Sequence, residues 1–208
     1  MSELEQEPTA AASNFGERIE LGRQFTADLA REGEIRGLIG PLELPRLWTR
    51  HVLNSALVAP LLRPGRVGDI GTGAGLPGLV LAICRPDVQF VLIEPMERRV
   101  DWLNEEVVAL GLDNVEVQRS RAEDVELSAP LTQVTARAVS ALSKLIPLTT
   151  PLLAPGGELV FMKGERVHDE ITAAQKVIRK AGLVDIDVVV LGEGVVEETT
   201  RVFRATRP

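Results

Sequence analysis

The run Asp69-Ile70-Gly71-Thr72-Gly73-Ala74-Gly75-Leu76-Pro77-Gly78 holds the densest potential chemistry of the 208-residue chain. It lies where a short apolar segment, residues 67–70, gives way to an apolar helix expected over residues 77–84. Glycines at a strand-to-helix junction let the backbone turn sharply and approach a ligand closely, and the helix start points N–H groups into the crevice. Pro77 suits the first helical turn, where its missing N–H costs nothing.

Two cofactors compete for such a loop. Gly73-Ala74-Gly75-Leu76-Pro77-Gly78 fits the dinucleotide pattern GxGxxG, which alone is weak. Asp69 separates the alternatives. A carboxylate two residues before the first glycine can neutralise the α-ammonium of S-adenosylmethionine, whereas beside a pyrophosphate it repels; a loop-capping carboxylate with no ligand is the plainer alternative. Glu94 closes the second expected strand, where a carboxylate can accept from both ribose hydroxyls of either cofactor. Arg121-Ala122-Glu123-Asp124 follows the third strand, where methyltransferases read adenine through a backbone N–H and a carboxylate. The order of the three features favours a methyltransferase over a dehydrogenase.

The acceptor is narrowed by what is missing. Methylation of an exocyclic base amine usually goes with Asn/Asp-Pro-Pro-Tyr/Phe after the fourth strand; here Thr135-Ala136-Arg137-Ala138-Val139 stands there, and the chain has no tyrosine. Carbon-5 methylation needs a cysteine nucleophile, but Cys84 falls in the helix after the glycine loop and reads as core packing. No His-Asp pair or metal-ligand set stands at a strand end, so no metal is expected. An acceptor with its own lone pair, such as guanine N7, needs no base and only positioning for in-line attack. Composition alone does not select guanine.

The elements that must hold these residues alternate strand and helix from residue 64 onward. Strands are expected at 67–70, 88–93, 115–118, 133–138 and 158–162, with helices at 77–84, 97–110, 142–153 and 169–181. Repeated βα units imply parallel pairing with right-handed crossovers. Segments 184–191 and 201–205, with no helix between them, read as a closing pair that adds one antiparallel strand. The expected fold is therefore α/β: a doubly wound, Rossmann-like sheet of seven strands, the last antiparallel. Residues 1–13 are small and acidic and read as a disordered tail. Residues 14–63 read as a small N-terminal helical extension, with apolar residues at helical spacing from Ile19 to Leu29 and again from Leu44 to Ser55. Residues 64–208 read as the methyltransferase domain.

The acidic, non-basic start is no secretion signal, and no apolar stretch suits a bilayer, so no membrane association is expected. The single cysteine fits a reducing cytosol. A net charge of −7 argues against a general nucleic-acid coat but tolerates one local basic patch. Only Lys144, Lys163, Lys176 and Lys180 are lysines; an arginine bias suits bidentate phosphate contacts, and codon bias in a GC-rich genome explains it equally well. Nothing demands a dimer, so a monomer is expected.

The chain closely resembles the bacterial 16S rRNA guanine-N7 methyltransferases called RsmG, or glucose-inhibited division protein B. The resemblance runs from about Leu47 to Arg204. It rests on Arg50-His51-Val52-Leu53-Asn54-Ser55, the 69–78 loop, Ser120-Arg121-Ala122-Glu123, Arg137-Ala138-Val139-Ser140-Ala141-Leu142 and Lys163-Gly164. It implies methylation of a guanine in the decoding-region loop of 16S rRNA within the small ribosomal subunit, with S-adenosylmethionine as donor. By position it implies cofactor contacts from Gly71, Leu76, Ala122, Glu123 and Arg137, with Gly73, Gly75 and Glu94 completing the pocket. Arg121 and Arg137 become the residues that position substrate and cofactor, and Arg121, Lys163 and Arg201 candidates for RNA phosphates. His51 reads as an interhelical structural hydrogen bond, with a position over the cofactor mouth as the alternative, and His168 as surface. Two departures stand out: Gly37-Leu38-Ile39 replaces the family's Asn-Leu-Thr, and Asn54 replaces its aspartate. Small-molecule methyltransferase, dinucleotide oxidoreductase and non-catalytic ribosome-binding module remain the rival readings.

Overall fold

The computed structural model describes residues 3–196 and 198–208. Its strands are β1 (Gly65–Ile70), β2 (Val88–Ile93), β3 (Val115–Gln118), β4 (Leu131–Arg137), β5 (Leu153–Lys163), β6 (Val184–Leu191) and β7 (Thr200–Thr206). They form one seven-stranded sheet in the order β3-β2-β1-β4-β5-β7-β6. Strands β1 to β5 pair in parallel, and β7 runs antiparallel to both β5 and β6. This is the expected doubly wound sheet, and its antiparallel member is the last strand. The carboxyl ends of β1, β2 and β4 meet at the crossover point between β1 and β4, where open α/β sheets bind ligands.

The helices are α1 (Ala10–Phe15), α2 (Ile19–Glu32), α3 (Asn54–Ala56), α4 (Gly78–Cys84), α5 (Glu97–Ala109), α6 (Leu142–Thr149) and α7 (Val167–Lys180). Strand side chains alternate between two cores with period two. Phe90, Leu92, Val160 and Met162 join α4 and the N-terminal helices on one face, while Val91, Ile93, Leu159 and Phe161 join α6 and α7 on the other. Helix α4 is apolar all round, and all its residues except Cys84 are buried. The cause is its place between the sheet and the N-terminal helices, where no face meets water. Among the described residues no helix is long and apolar enough to cross a membrane.

Four local expectations change. The acidic opening segment is not a disordered tail up to residue 13, because α1 begins at Ala10 and buries Ala11 and Phe15. Its carboxylates also find partners: Glu7 takes a two-point contact from Arg23 at 2.6 and 2.8 Å, and Glu5 accepts from the Thr49 N–H at 3.0 Å. The expected helix at 142–153 ends at Thr149, giving way to a 3-10 turn at Thr150–Leu152 that contains Pro151. Strand β5 starts earlier than expected, since Gly156 and Gly157 pair with Arg207 and lie within the strand rather than before it. The helical spacing at 44–55 resolves into a 3-10 turn (Leu44–Arg46), a π-helical stretch (Leu47–Leu53) and α3.

Candidate functional site

The glycine loop is held from beneath by two buried carboxylates. Asp69, at the end of β1, is wholly buried; Oδ2 accepts from the Gly78 N–H at 2.9 Å and Oδ1 from the Thr135 hydroxyl at 3.0 Å. Burial pushes its carboxyl up to about 6, opposed by hydrogen bonds from Thr135 and Gly78. Glu94, at the end of β2, accepts from the Gly73 N–H and the Met96 N–H, both at 3.0 Å. Gly71 and Gly73 adopt φ of +64° and +59°, the left-handed region where a side chain is strained. Trp102 of α5, itself buried, donates from its indole to the Ala74 carbonyl at 3.1 Å.

Burial corrects the reading of Asp69. With no exposed surface it does not meet a ligand's ammonium directly; it caps the start of α4 and fixes the loop. That also weighs against a pyrophosphate, because the helix start already faces the protein's own carboxylate.

Above the loop lies a cavity of about 320 Å³ whose walls include Gly71, Gly73, Leu76, Arg137, His51 and Arg99. Arg137, the last residue of β4, sends Nη2 to His51 Nδ1 at 3.0 Å, and His51 Nε2 lies 2.6 Å from Glu43 Oε2. Burial lowers the Arg137 guanidinium to about 10, while the Asp69 charge works to raise it. Burial, then the Arg137 charge, lowers the His51 imidazole below its ordinary value. Although burial acts the other way, hydrogen bonds from Arg46 and His51 hold the Glu43 carboxyl low. Leu38, Ile39 and Gly40 complete this wall, so the Gly37-Leu38-Ile39 departure sits at the cavity itself. Ala138, directly after Arg137, has φ +53° and also lines the cavity, a strained conformation of the kind that collects at functional sites.

Gly71, Gly73, Leu76 and Arg137 therefore come together as expected. Glu94 lies behind Gly73 rather than on the wall. Gly75, at φ +93°, turns the loop toward Leu79. Ala122 and Glu123 lie in a turn beyond β3, on the same sheet edge but outside this cavity, and Arg121 beside them is exposed. Lys163 is not a free phosphate contact: its side chain is 8% exposed, and Nζ donates to the Ser140 carbonyl at 2.7 Å and to Glu170 at 2.8 Å. It anchors the loop after Arg137 to α7. Arg201 pairs in register with Lys163 across β5 and β7 and is partly exposed. His168 is exposed, and Asn54 is buried in α3, where an amide costs less than the family's carboxylate. His51 does make structural hydrogen bonds, to Arg137 at the carboxyl end of β4 and to Glu43 rather than to another helix, and it also lines the cavity. Sequence reasoning missed Glu43 and Arg99, which no local pattern marks, and passed over Ala138 although it stands in the Arg137–Leu142 segment.

Among solved structures, an S-adenosylmethionine-dependent methyltransferase from Aquifex aeolicus is similar at a TM-score of 0.58 and 20% identity, covering 85% of this chain and 98% of that one. The N-methyltransferase NodS of Bradyrhizobium japonicum gives 0.57 at 17% identity, covering 87% and 100%. The fold is thus that of the S-adenosylmethionine-dependent methyltransferases. The family model described as rRNA small subunit methyltransferase G matches residues 18–200. The ribosomal RNA small subunit methyltransferase G of Leifsonia xyli is 67% identical over 203 residues, covering 98% of this chain and 97% of its own. That of Mycobacterium leprae is 52% identical over 182 residues, covering 86% and 74%. The chain belongs to the rRNA small subunit methyltransferase G family.

Proposed function

We propose that the protein transfers a methyl group from S-adenosylmethionine to N7 of a guanine in the decoding-region loop of 16S rRNA, within the small ribosomal subunit. The observation that carries this reading is a cavity with cations and open backbone but no spare base. His51 Nδ1 faces Arg137, Glu43 is engaged by His51 and Arg46, and Asp69 and Glu94 are engaged within the loop. Such a site suits an acceptor that already presents a lone pair, as guanine N7 does.

The residues fit the donor: a Cβ at Gly73 would meet nothing closer than 3.8 Å, so the backbone there is open to a ligand. When bound, S-adenosylmethionine supplies a methyl group already activated by its sulfonium. Gly71, Gly73 and Leu76 shape the wall against it, with Gly75 and Asp69 holding the turn. Glu94, buried behind Gly73, serves the ribose end by holding the Gly73 N–H in place, and Ala122 and Glu123 serve the adenine end. Arg137 orients the reactants, and Arg121 and Arg201 meet RNA phosphates. Residues 14–63 act as an extension covering the cavity and residues 64–208 as the transferase domain. With a ribosomal substrate the protein works in the cytoplasm, as a monomer.

The test is mass mapping of 16S rRNA from cells lacking the protein. One N7-methylguanine in the decoding region should vanish and return with the wild-type chain. Arg137→Ala should slow the reaction by roughly 100-fold, the scale for losing one positioned donor. An unchanged methylation map, or transfer to metabolites alone, would refute the reading.

A further inference from the structure

We propose that Glu43, His51 and Arg137 form a positioning relay, in which His51 aims the Arg137 guanidinium into the cavity and ties that aim to the seating of residues 38–43. The inference rests on the methyl-transfer reading and adds to it a role for the histidine.

The direction of each link follows from donor chemistry. A guanidinium only donates, so His51 Nδ1, 3.0 Å from Arg137 Nη2, must carry the lone pair. A neutral ring then has its proton on Nε2, which donates to Glu43 Oε2 at 2.6 Å. The chain of bonds runs Arg137 to His51 to Glu43, and no other neutral tautomer satisfies both ends. The π-helical stretch Leu47–Leu53 contributes twice, since the Arg50 carbonyl also accepts from Arg137 Nη1 at 3.4 Å. Wider π turns recur where a helix must deliver side chains to a functional site.

The side chains of His51 and Glu43 are 14% and 18% exposed, so water competes weakly for these bonds. The charged groups around the ring are Glu43, Arg46 and Arg50 from its own segment, Arg137 from β4, and Asp69 behind Arg137 from β1. Protonating His51 would set an N–H against the guanidinium N–H, two donors with no acceptor between them. That link then opens and Arg137 loses its rest. Burial and the Arg137 charge favour the neutral ring, which keeps the relay assembled at neutral pH.

The chain has only two histidines, and His168 is exposed, so nitrogen NMR of the imidazoles is unambiguous. At about pH 7.5 His51 should show an unprotonated Nδ1 and a protonated Nε2, with His168 averaging between tautomers. An averaged or reversed His51 overturns the relay. In methylation of small subunits, His51→Ala should lower kcat/KM by about tenfold or more, the scale of a hydrogen bond to a charged group. His51→Asn, whose amide oxygen stands near the Nδ1 position, should recover most of that loss. Wild-type activity should fall on acidification below the ordinary histidine range, and His51→Asn should flatten that fall, which a merely structural histidine would not. A His51→Ala enzyme with wild-type rate and pH profile sinks the proposal, as does a folded Asn variant no better than Ala. If His51→Ala does not fold, the tautomer and the Asn variant decide. If the wild type methylates no ribosomal RNA, the methyl-transfer reading fails, whereas the tautomer measurement judges the relay separately.

Discussion

The glycine loop and the wall facing it are built differently. The loop, residues 69–78, first closes on itself, with Asp69 accepting from the Gly78 N–H and the Thr72 carbonyl from the Gly75 and Leu76 N–H groups, and is then tied from below by Glu94, Thr135 and Trp102. The wall, residues 38–51, depends on distant partners. Thr49 reaches Glu5, 44 positions away, and His51 reaches Arg137, 86 positions away. The turn of the loop is thus encoded in local spacing, while the enclosure of the cavity comes from tertiary pairs. The first is rigid by chain geometry, and the second can be tuned by single side chains.

That contrast is broken most severely at Gly78. A Cβ there would lie 2.3 Å from Leu92 Cδ2 and 2.7 Å from Asp69 Oδ2, so Gly78→Ala must displace the carboxylate that holds the loop. A stability loss of about 1–3 kcal/mol in urea unfolding is expected, together with weaker S-adenosylhomocysteine binding by calorimetry. Unchanged values for both would show that the loop is not rigid.

The N-terminal side offers the reverse effect. Glu106 on α5 is 4% exposed, and burial, then the Asp28 charge, raises its carboxyl to about 7. The unfolded chain ionises this group near 4.5, so folding carries an increasing cost as pH rises from 4.5 through about 7. Glu106→Gln escapes that cost. Its melting temperature should exceed the wild type's at about pH 8 and converge with it at acid pH; a constant offset across the range would disprove the assignment. Asp69, raised from 3.8 to about 6, contributes with the same sign over its own lower window.

The smallest expected effect separates an exposed cation from a buried one. Arg121→Ala should reduce the log–log salt slope of rRNA binding by about one without moving the melting temperature. Lys163→Met should do the opposite, leaving the slope intact and lowering stability, because it loosens the 138–142 loop from Glu170. Matching salt slopes for both variants would erase the distinction.

The same division explains what was legible beforehand. The segments read at 88–93, 115–118 and 184–191 coincide with β2, β3 and β6, since valine- and isoleucine-rich segments, alternating with polar residues in β3 and the first half of β6, leave little choice between turn residues. The glycine loop was equally plain. The π-helical stretch was not, because its spacing of apolar residues nearly matches that of an α-helix. Glu43 looked like any surface carboxylate until the fold set it against His51. Lys163 was misread for the same reason: its type suggests phosphate, but its partners lie on α7 and in the loop before α6. Asp69 does lie at the carboxyl end of β1, but no local pattern showed that its oxygens would be taken by Gly78 and Thr135.

The indole of Trp102, bonded to the Ala74 carbonyl and lying 5.5 Å beneath the Arg36 guanidinium, has an optical consequence. Excited at the red edge of indole absorption, where phenylalanine does not absorb, a chain lacking tyrosine emits from Trp48 and Trp102 alone. One of these two emitters is therefore bonded directly to the glycine loop, and its emission should report any shift of that backbone with no dye attached.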